Sequence, residues 1–225
     1  MEEIKIVELK QTILEDNDKD AEKLNQELKE KGVFLINLMS SPGSGKTTLL
    51  VKLIQKIAGK AKFAVMEADI DSDTDAKTIL KTGAKCVQLH TGGMCHLDAD
   101  MTRQGINALG ETDSIVVLEN IGNLVCPAEY ATGAEKNIAI LSVTEGDDKP
   151  FKYPLMFSMV DLVIINKIDT MNYFDFDTEK CKAQIKKLNP KAKVLMVSAK
   201  TGEGINELCN WILQEYENWK VQVNG

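Results

Sequence analysis

The residues with the clearest chemistry in this 225-residue chain lie at positions 40–48, where the sequence is SSPGSGKTT. Glycines in this stretch let the backbone curl so that successive N–H groups face an anion. The Lys46 ammonium can reach the β- and γ-phosphates of a nucleoside triphosphate, and the Thr47 hydroxyl can bind Mg²⁺. An apolar run precedes the stretch and a helical pattern follows it, which is the setting of a P-loop. We therefore predict that six residues hold the phosphates: Gly43, Ser44, Gly45, Lys46, Thr47 and Thr48.

One position departs from the full P-loop pattern. Ser40 stands where that pattern has its first glycine, and serine avoids the most strained backbone angles. We therefore expect the loop to begin differently in this chain. The alternative interpretation is a glycine-rich turn between a strand and a helix, in which the lysine is incidental.

A second set of polar residues predicts the base of the nucleotide. The tetrapeptide NKID at 166–169 directly follows the apolar run DLVII, and the tripeptide SAK at 198–200 follows the next such run. The Asp169 carboxylate can accept two N–H bonds at once, and guanine offers its N1–H and 2-amino groups in that arrangement, whereas adenine does not. The Ala199 N–H can meet the guanine O6. A guanine nucleotide is therefore predicted, held by Asn166, Lys167, Asp169, Ser198, Ala199 and Lys200.

Acidic residues at the ends of two further apolar runs predict a magnesium shell. The segment VMEADIDSDTDA offers Asp69 and Asp75 for the ion or for positioning water, and SIVVLENIG places Glu119 three residues before Gly122. GTPases have D-x-x-G at this point, with the carboxylate near Mg²⁺ and the glycine N–H sensing the γ-phosphate. Glutamate replaces aspartate here but keeps the charge. The predicted catalytic residues are Lys46, Thr47, Asp69, Asp75 and Glu119, of which Thr47 and Glu119 hold Mg²⁺.

Sulfur and imidazole groups lie close to this predicted switch. The run GGMCHLDADM places Cys95 beside His96, and Cys126 follows Gly122 by four residues. Thiolates and imidazole suit Zn²⁺ or Ni²⁺, whereas Mg²⁺ prefers oxygen. From these residues alone the alternatives are a metal site, buried cysteines with a helix-capping histidine, and a Cys–His nucleophile. The three other cysteines are predicted to be core or inert: Cys86, Cys181 and Cys209.

The elements that must position these groups alternate regularly along the chain. Seven apolar runs are predicted strands: VFLINLM, KFAVMEA, CVQLH, SIVVLE, NIAILSVTE, DLVIIN and AKVLMVS. Helical patterns lie between and after them: TTLLVKLIQKIAGK, DAKTILKTG, LDADMTRQGINAL, 177–188 and 203–219. This alternation predicts an α/β fold of the P-loop NTPase type, a mostly parallel sheet of about seven strands with helices on both faces.

The domain organisation follows from the same patterns. Residues 8–31 have helical spacing, with apolar positions Leu9, Ile13, Leu24 and Leu28 among many charges. The pattern is typical of a solvated amphipathic helix, with a partner-docking arm as the alternative. We predict a lead-in helix within residues 1–31 and one P-loop domain over residues 32–225, because no repeat, low-complexity segment or linker interrupts the rest.

Composition excludes several functional classes. Lys and Arg total 27 against 34 Asp and Glu, a formal net charge of −7, whereas nucleic-acid binders usually carry a basic surplus. No apolar run approaches the roughly 20 residues of a membrane helix, and the first residues lack the apolar core of a signal peptide. Five scattered cysteines do not suggest a disulfide framework. We expect a cytoplasmic protein without nucleic-acid or membrane partners.

Taken together, the motifs resemble one family closely. The runs MSSPGSGKTTLL, GGMCHLDADM, ENIGNLVCPAEY, TEGDDKPFKYP and NKID are similar to those of the HypB family, the GTPases that assist nickel insertion into nickel–iron hydrogenase. The resemblance covers roughly residues 32–215, and its most specific parts are GGxCHLDA and ENxGNLVCPA.

The resemblance implies more than the residues alone do. It implies a GTPase of the signal-recognition/MinD (SIMIBI) class that hydrolyses GTP and forms a homodimer with nucleotide. A nickel or zinc site at the subunit interface is implied at Cys95, His96 and Cys126, which match the family's metal residues by position. The implied partners are a HypA-type nickel chaperone and the hydrogenase large subunit.

Two alternative functions stay open at this point. A related urease-type nickel metallochaperone GTPase would carry a Cys-Pro-His motif, but this chain has Cys126, Pro127 and Ala128 in succession. A regulatory GTPase without metal delivery would use GTP only to control the docking of a partner. Metal-dependent dimerisation would distinguish that switch from a metallochaperone.

Overall fold

Seven strands form one parallel sheet in the computed structural model, which describes the backbone of residues 9–69 and 74–224 and the side chains of residues 14–68 and 74–223. The strand order across the sheet is β3-β2-β4-β1-β5-β6-β7. All seven correspond to predicted strands: β1 (Val33–Ser40), β2 (Phe63–Asp69), β3 (Lys85–His90), β4 (Ser114–Glu119), β5 (Lys136–Ser142), β6 (Leu162–Asn166) and β7 (Lys193–Met196).

Helices connect these strands, as right-handed crossovers between parallel strands require. Those predicted from the sequence are α1 (Leu9–Glu30), α2 (Lys46–Ile57), α3 (Thr74–Leu80), α4 (Ala99–Leu109), α8 (Thr178–Leu188) and α9 (Ile205–Asn224). Three short helices were not predicted: α5 (Cys126–Glu129), α6 (Lys149–Lys152) and α7 (Pro154–Met159). Two 3-10 helices lie at Val143–Glu145 and Ile168–Tyr173.

Apolar side chains cover both faces of the sheet, which explains why its central strands are continuous apolar runs. On one face, Ile36 and Val117 pack in a cluster that includes residues of α2, α3 and α9. On the other, Leu35 and Val116 pack with residues of α1 and α4, while Ile165 packs with residues of α7 and α8. The predicted α/β sheet with helices on both faces is therefore confirmed.

Helix α1 is packed against the sheet and α4. Leu24 and Leu28 are only 1% and 2% exposed, and both belong to the cluster that contains β1 and α4 residues. The other apolar positions of the predicted pattern, Leu9 and Ile13, lie outside the described side chains. The proposed boundary between residues 31 and 32 stays a prediction. Within the described part of the chain, no helix is long and apolar enough to cross a bilayer.

The sheet topology places the predicted functional residues together at the carboxyl ends of the strands. β1 pairs with β4 on one side and β5 on the other; β2 and β3 lie beyond β4 and β6 and β7 lie beyond β5, so the direction of winding reverses in the middle of the sheet. In such sheets ligands bind outside the carboxyl ends of the strands, near this point of reversal. The loop after β1 and the ends of β2, β3, β4, β6 and β7 carry the residues singled out above.

Candidate functional site

The loop between β1 and α2 has the backbone of a phosphate cradle. Gly43 and Gly45 have φ angles of 75° and 97°, which lie in the left-handed region that favours glycine. A Cβ atom on Gly45 would lie 2.7 Å from the Asn166 side-chain nitrogen, so a larger residue would collide with the base-site strand. Lys46 begins α2, a 12-residue helix whose first N–H groups face the loop. The cradle therefore fits an anionic phosphate.

Ser40 explains how the loop begins without a glycine. It is the last residue of β1 and pairs with β5, in ordinary extended backbone. Its buried hydroxyl accepts hydrogen bonds from Lys46 Nζ at 2.9 Å and from Ser44 Oγ at 2.6 Å. Burial lowers the pKa of Lys46, although nearby carboxylates, Glu119 foremost, oppose that shift. Among the described residues the hydrogen-bond partner of this half-buried ammonium is a hydroxyl, which it can exchange for phosphate oxygens.

Three carboxylates lie beside this lysine. One oxygen each of Glu67, Asp75 and Glu119 can be chosen so that all lie within 4.8 Å of one another, and Glu119 Oε1 accepts from Thr47 Oγ1 at 3.2 Å. Burial, reinforced by Glu67 and Asp75, raises the pKa of Glu119 to about 8. Glu119 Oε2 is buried and has no hydrogen-bond partner among the described residues. A hydroxyl and several carboxylate oxygens around one point are a donor set that fits Mg²⁺.

The carboxylates line a cavity of about 280 Å³ that also includes the phosphate loop and the residues after β4. Of the two aspartates predicted for this shell, Asp75 is in place on α3. Asp69 ends β2, but its side chain lies outside the described residues. Glu67 was not predicted, although an acidic residue inside the apolar run KFAVMEA was a visible signal. Glu67 pairs with Glu119 across β2 and β4, so both side chains point to the same face.

The segment after β4 lies directly against the phosphate loop. A Cβ atom on Gly122 would lie 3.0 Å from Pro42 Cγ and 3.1 Å from Pro42 Cα, so a larger residue would have to push the phosphate loop away by a few tenths of an ångström. Asn120 fixes the segment from the other side, because its amide donates to Asn37 Oδ1 at 3.0 Å and its oxygen accepts from the Ile121 N–H at 2.9 Å. The backbone at Gly122 is thus placed next to the predicted phosphate position.

Five of the six predicted base-site residues line a cavity of about 200 Å³, and the sixth, Ser198, contacts Asp169 behind it. Asp169 Oδ1 accepts from Ser198 Oγ at 2.6 Å, which orients the carboxylate. Asn166 joins the two halves of the site, since its amide donates to the Ser44 carbonyl at 2.9 Å and its oxygen accepts from the Ala199 N–H at 3.1 Å.

Lys167 and Lys200 complete the base pocket. Lys167 has a left-handed φ of 62°, and its Nζ donates to the Gly43 carbonyl at 2.7 Å, which lays its stem along the cavity. Lys200 and Thr48 line the cavity as well. The structure therefore brings together all six residues predicted for guanine and connects them to the phosphate loop.

The two thiols and the imidazole predicted for a soft metal also come together. Cys95 Sγ lies 2.9 Å from Cys126 Sγ and 3.9 Å from His96 Nδ1. All three belong to loops or helix ends at the same edge of the sheet, and Cys95 is exposed. The hydrogen bond with Cys126 raises the pKa of the Cys95 thiol, and burial lowers the pKa of His96.

Thiols and imidazole are donors that suit a thiophilic metal, but here the ligand atoms of Cys95, His96 and Cys126 do not all lie within 4.8 Å of one another, so the site must rearrange to bind one. Two thiolates at about 2.3 Å from a tetrahedral Zn²⁺ lie about 3.8 Å apart, so the thiols must separate by nearly 1 Å when the metal binds. The remaining cysteines contribute elsewhere. Cys181 and Cys209 are core residues, as predicted, and Cys86 is half-buried on β3.

Comparison with known proteins decides the family. The profile of the CobW/HypB/UreG nucleotide-binding domain matches residues 34–196. The chain is 46% identical over 209 residues to the hydrogenase maturation factor HypB of Azotobacter chroococcum, and the match covers 92% of this chain and 68% of that protein. The chain belongs to the HypB family. It is also 39% identical over 218 residues to the hydrogenase/urease maturation factor HypB of Helicobacter pylori, covering 95% of this chain and 88% of that protein.

The solved structures agree with this family assignment. The crystal structure of HypB from Helicobacter pylori in complex with nickel matches with a TM-score of 0.85 at 39% identity, covering 91% of this chain and 97% of that one. The predicted resemblance and the predicted P-loop NTPase fold are thus confirmed. As a member of the HypB family, the chain has a nucleotide-binding domain, and its cradle and base pocket are the features described above.

Two further residues of this HypB-family chain touch the thiol site without having been predicted for it. The Tyr130 ring stacks on the His96 imidazole, with ring centroids 3.6 Å apart and planes 15° from parallel. Asn123 Nδ2 donates to the Cys95 carbonyl at 3.3 Å. Both residues lie in the run ENIGNLVCPAEY, which resembles the family motif. The spacing of residues in that run does not indicate that they contact Cys95 and His96.

Proposed function

We propose that this HypB-family protein binds and hydrolyses GTP with Mg²⁺ and uses the nucleotide state to control a nickel or zinc site at Cys95, His96 and Cys126. The metal ion is cargo, passed on during the maturation of nickel–iron hydrogenase. The single observation that carries the proposal is the path of residues 119–126. This segment leaves the carboxylate cluster at Glu119, passes against the phosphate loop at Gly122, and reaches the thiol pair at Cys126.

Within the phosphate site, the chain's residues have separate roles. Lys46 exchanges the Ser40 hydroxyl for the β- and γ-phosphate oxygens and stabilises the charge that develops on them. Thr47, Asp75 and Glu119 would hold Mg²⁺, which supplies further charge neutralisation at the phosphates when bound. The Gly122 N–H would donate to the γ-phosphate, and the contact of Gly122 with the phosphate loop supports this role. Hydrolysis joins a water oxygen to the γ-phosphorus and breaks the bond from that phosphorus to the β–γ bridging oxygen, which leaves with GDP while phosphate is released.

The base pocket selects the substrate. The Asp169 carboxylate, oriented by Ser198, accepts from the guanine N1–H and 2-amino groups. The Lys167 stem covers the base, and Asn166 ties the base pocket to the phosphate loop through the Ser44 carbonyl. Adenine presents no matching pair of donors, and buried polar groups left unpaired make its rejection steep.

Loss of the γ-phosphate releases the Gly122 segment, which carries Cys126 four residues further on. The metal geometry therefore differs between the GTP and GDP states. Three ligands from one chain leave a four-coordinate metal incomplete, so we include a homodimer that shares the site in the proposal. A HypA-type nickel chaperone and the hydrogenase large subunit are the proposed partners.

The decisive experiment is a titration of Ni²⁺ and of Zn²⁺ into the apo, GDP-bound and GTP-analogue-bound protein. The affinities should differ between nucleotide states by about 5- to 150-fold, and by linkage the metal should change nucleotide affinity by the same factor. Cys126→Ala should weaken metal binding and remove this difference while leaving GTP hydrolysis within a modest factor. Lys46→Ala should nearly abolish hydrolysis and keep the metal affinity of the nucleotide-free protein.

Two results would overturn the proposal. Equal metal affinities in the GDP and GTP-analogue states would leave a GTPase without a metal switch. Unchanged metal affinity in a variant with alanine at positions 95, 96 and 126 would remove the metal site itself.

A second candidate function has one observation in its favour. The Helicobacter pylori relative is named a hydrogenase/urease maturation factor, so delivery of nickel to urease is compatible with this family. Reconstitution of apo-hydrogenase and apo-urease with the nickel-loaded, GTP-bound protein distinguishes the two. Activation of hydrogenase is the expected result.

A further inference from the structure

The stacked pair of His96 and Tyr130 joins two separate segments of the thiol site. His96 lies on the loop between β3 and α4, whereas Tyr130 directly follows α5, the short helix that begins with Cys126. Their ring centroids are 3.6 Å apart and the planes differ by 15°, and both residues are half-buried. The imidazole therefore lies against the residue that directly follows the helix carrying the second thiol.

The loop that carries His96 has little regular structure of its own to fix the ring. Gly92 and Gly93 precede it with left-handed φ angles of 63° and 96°. Asn123 holds the backbone of this loop by donating to the Cys95 carbonyl at 3.3 Å, while its oxygen accepts from the Val125 N–H at 2.9 Å. The segment from Asn123 to Tyr130 thus contacts the loop at two points: Asn123 binds the backbone at Cys95, and Tyr130 stacks on the imidazole of His96.

We propose that Tyr130 is the positioning residue for the imidazole ligand and that it makes the metal–nitrogen bond follow the movement of α5. This inference rests on the proposed function, in which Cys95, His96 and Cys126 bind the metal. The stack limits rotation of the His96 side chain and keeps Nδ1 at 3.9 Å from Cys95 Sγ. When the nucleotide state moves residues 122–130, the ring and Cys126 move together.

The physical cause is preorganisation. An imidazole that stacks on a fixed ring has already lost the rotational freedom that metal binding would otherwise remove. Groups that orient a metal-ligating histidine typically change metal affinity by about 10- to 100-fold when they are removed. A stack is less directional than a hydrogen bond, so we expect the lower end of that range for loss of the Tyr130 ring.

The experiment compares Tyr130→Leu, which removes the ring, with Tyr130→Phe, which keeps the stack. Tyr173→Leu is the matched control, because Tyr173 is 83% exposed and lies after β6, away from the thiols. Ni²⁺ affinity is measured by competition with a chelator in the GDP and GTP-analogue states. Thermal unfolding of each variant confirms that it is folded.

Tyr130→Leu should bind Ni²⁺ about tenfold more weakly and should reduce the difference in affinity between the two nucleotide states. Tyr130→Phe and Tyr173→Leu should behave as the wild type does. The imidazole NMR signals report the bond directly, because His90 is the only other histidine in the chain. The His96 signal should respond less to a diamagnetic metal such as Zn²⁺ in Tyr130→Leu than in the wild type.

A double-mutant cycle separates positioning from general packing. In a His96→Ala background, Tyr130→Leu should have no further effect on Ni²⁺ affinity, because the ring acts through the imidazole. An equal loss in both backgrounds would overturn the inference, as would wild-type affinity and wild-type His96 signals in Tyr130→Leu. If Tyr130→Leu does not fold, a Tyr130→Phe variant with weakened binding and an altered His96 response overturns it instead.

Failure of this inference is distinguishable from failure of the proposed function. If His96→Ala and Cys126→Ala both keep full Ni²⁺ affinity, the proposed metal site is wrong. If those variants lose affinity while Tyr130→Leu keeps it, the metal site stands and only the role of Tyr130 is refuted.

Discussion

At the scale of single residues, the phosphate site holds more buried charge than a ligand-free fold accommodates easily. Burial lowers the pKa of Lys46 and raises the pKa of Glu119 to about 8, so each charged form is disfavoured. Glu119 is 2% exposed and lies beside two further carboxylates. Phosphate bound to the lysine and Mg²⁺ bound to the carboxylates would stabilise the charged forms of both groups. These groups therefore lower the unfolding free energy of the ligand-free protein, although they are the groups that would bind the ligands.

Glu119→Gln tests this conflict between stability and function. The folded pKa of about 8 exceeds the ordinary value of 4.5, so between these pH values the folded protein binds more protons than the unfolded chain. The unfolding free energy of the wild type should thus fall as pH rises through this window, and the variant should lack that fall. At pH 8 we expect the variant to be more stable by roughly 1–3 kcal/mol in urea denaturation. Its Mg²⁺-dependent GTP hydrolysis should drop by about 100-fold.

The control for this experiment is Glu203→Gln, at an exposed glutamate. It should follow the wild type at every pH. A stability difference between Glu119→Gln and wild type that is the same at pH 5 and pH 8 would contradict the assigned pKa.

Asp169→Asn tests the choice of base. The substitution replaces an acceptor oxygen with a donor that faces the guanine N–H groups, so GTP binding should weaken by about 100-fold. Xanthosine nucleotides, whose 2-oxo group accepts, should gain in relative affinity. Nucleotide titration measures both, with Asp175→Asn at an exposed aspartate as the control. Unchanged GTP affinity would remove Asp169 from the base pocket.

At the scale of elements, the sequence predicted the long features well and the short ones poorly. Strands β1 and β4 are buried on both faces and are continuous apolar runs, which period and length make recognisable. Helices α5, α6 and α7 have only four to six residues, too few to show a helical period. Their positions depend on contacts with β5, α8 and the thiol loop rather than on local pattern.

The candidate site shows the same division. The phosphate loop and the NKID run were recognisable because backbone geometry and hydrogen-bonding needs fix their residue types. Glu67 was missed because it lies inside an apolar strand, and its role follows from its register beside Glu119. The partnership of Tyr130 with His96 was not predictable, because it depends on how a four-residue helix meets a loop 30 residues away in sequence.

Arg103, the only arginine of the chain, tests how α1 is attached. Its guanidinium donates to both carboxylate oxygens of Asp20 at 2.8 Å and to Glu27 at 3.1 Å, joining α4 to α1. Arg103→Ala should lower the unfolding free energy by about 1 kcal/mol at neutral pH, a value that allows for the partial exposure of the pair. Urea denaturation measures the change, and Arg103→Lys, which cannot make the paired bonds, should recover only part of it.

The pH dependence of this pair has a definite sign. The hydrogen bond from Arg103 lowers the pKa of Asp20 below its ordinary value of 3.8. Its contribution is therefore present above that value and is lost as pH falls through the lower folded pKa. The difference between wild type and Arg103→Ala should shrink in acid. A difference that grows on acidification would contradict the assignment.

At the scale of the whole molecule, one edge of the sheet holds both ligand sites, and the surface beside the thiols is apolar. Val125 directly precedes Cys126 and is 49% exposed, while Met94 directly precedes Cys95 and is 38% exposed. Leu155, on α7, which packs against α5, is 51% exposed. Exposed apolar side chains around the three proposed metal ligands suit a surface that is covered when two copies meet.

The last prediction concerns this proposed homodimer. A GTP analogue with Mg²⁺ should shift the protein from monomer to dimer in light scattering, because the Gly122 segment that is proposed to read the γ-phosphate leads to Cys126, one of the two thiols on the proposed dimer face. Leu155→Glu should weaken the dimer by about tenfold or more, since it places a charge in an apolar contact, while the nucleotide affinity of the monomer is kept. Val221→Glu is the control, because Val221 is equally apolar and 73% exposed but lies on α9. The same mass with and without nucleotide, or equal effects of the two glutamate variants, would count against a dimer formed through the thiol face. A nucleotide-dependent dimer that only Leu155→Glu disrupts would connect GTP binding to completion of the metal site.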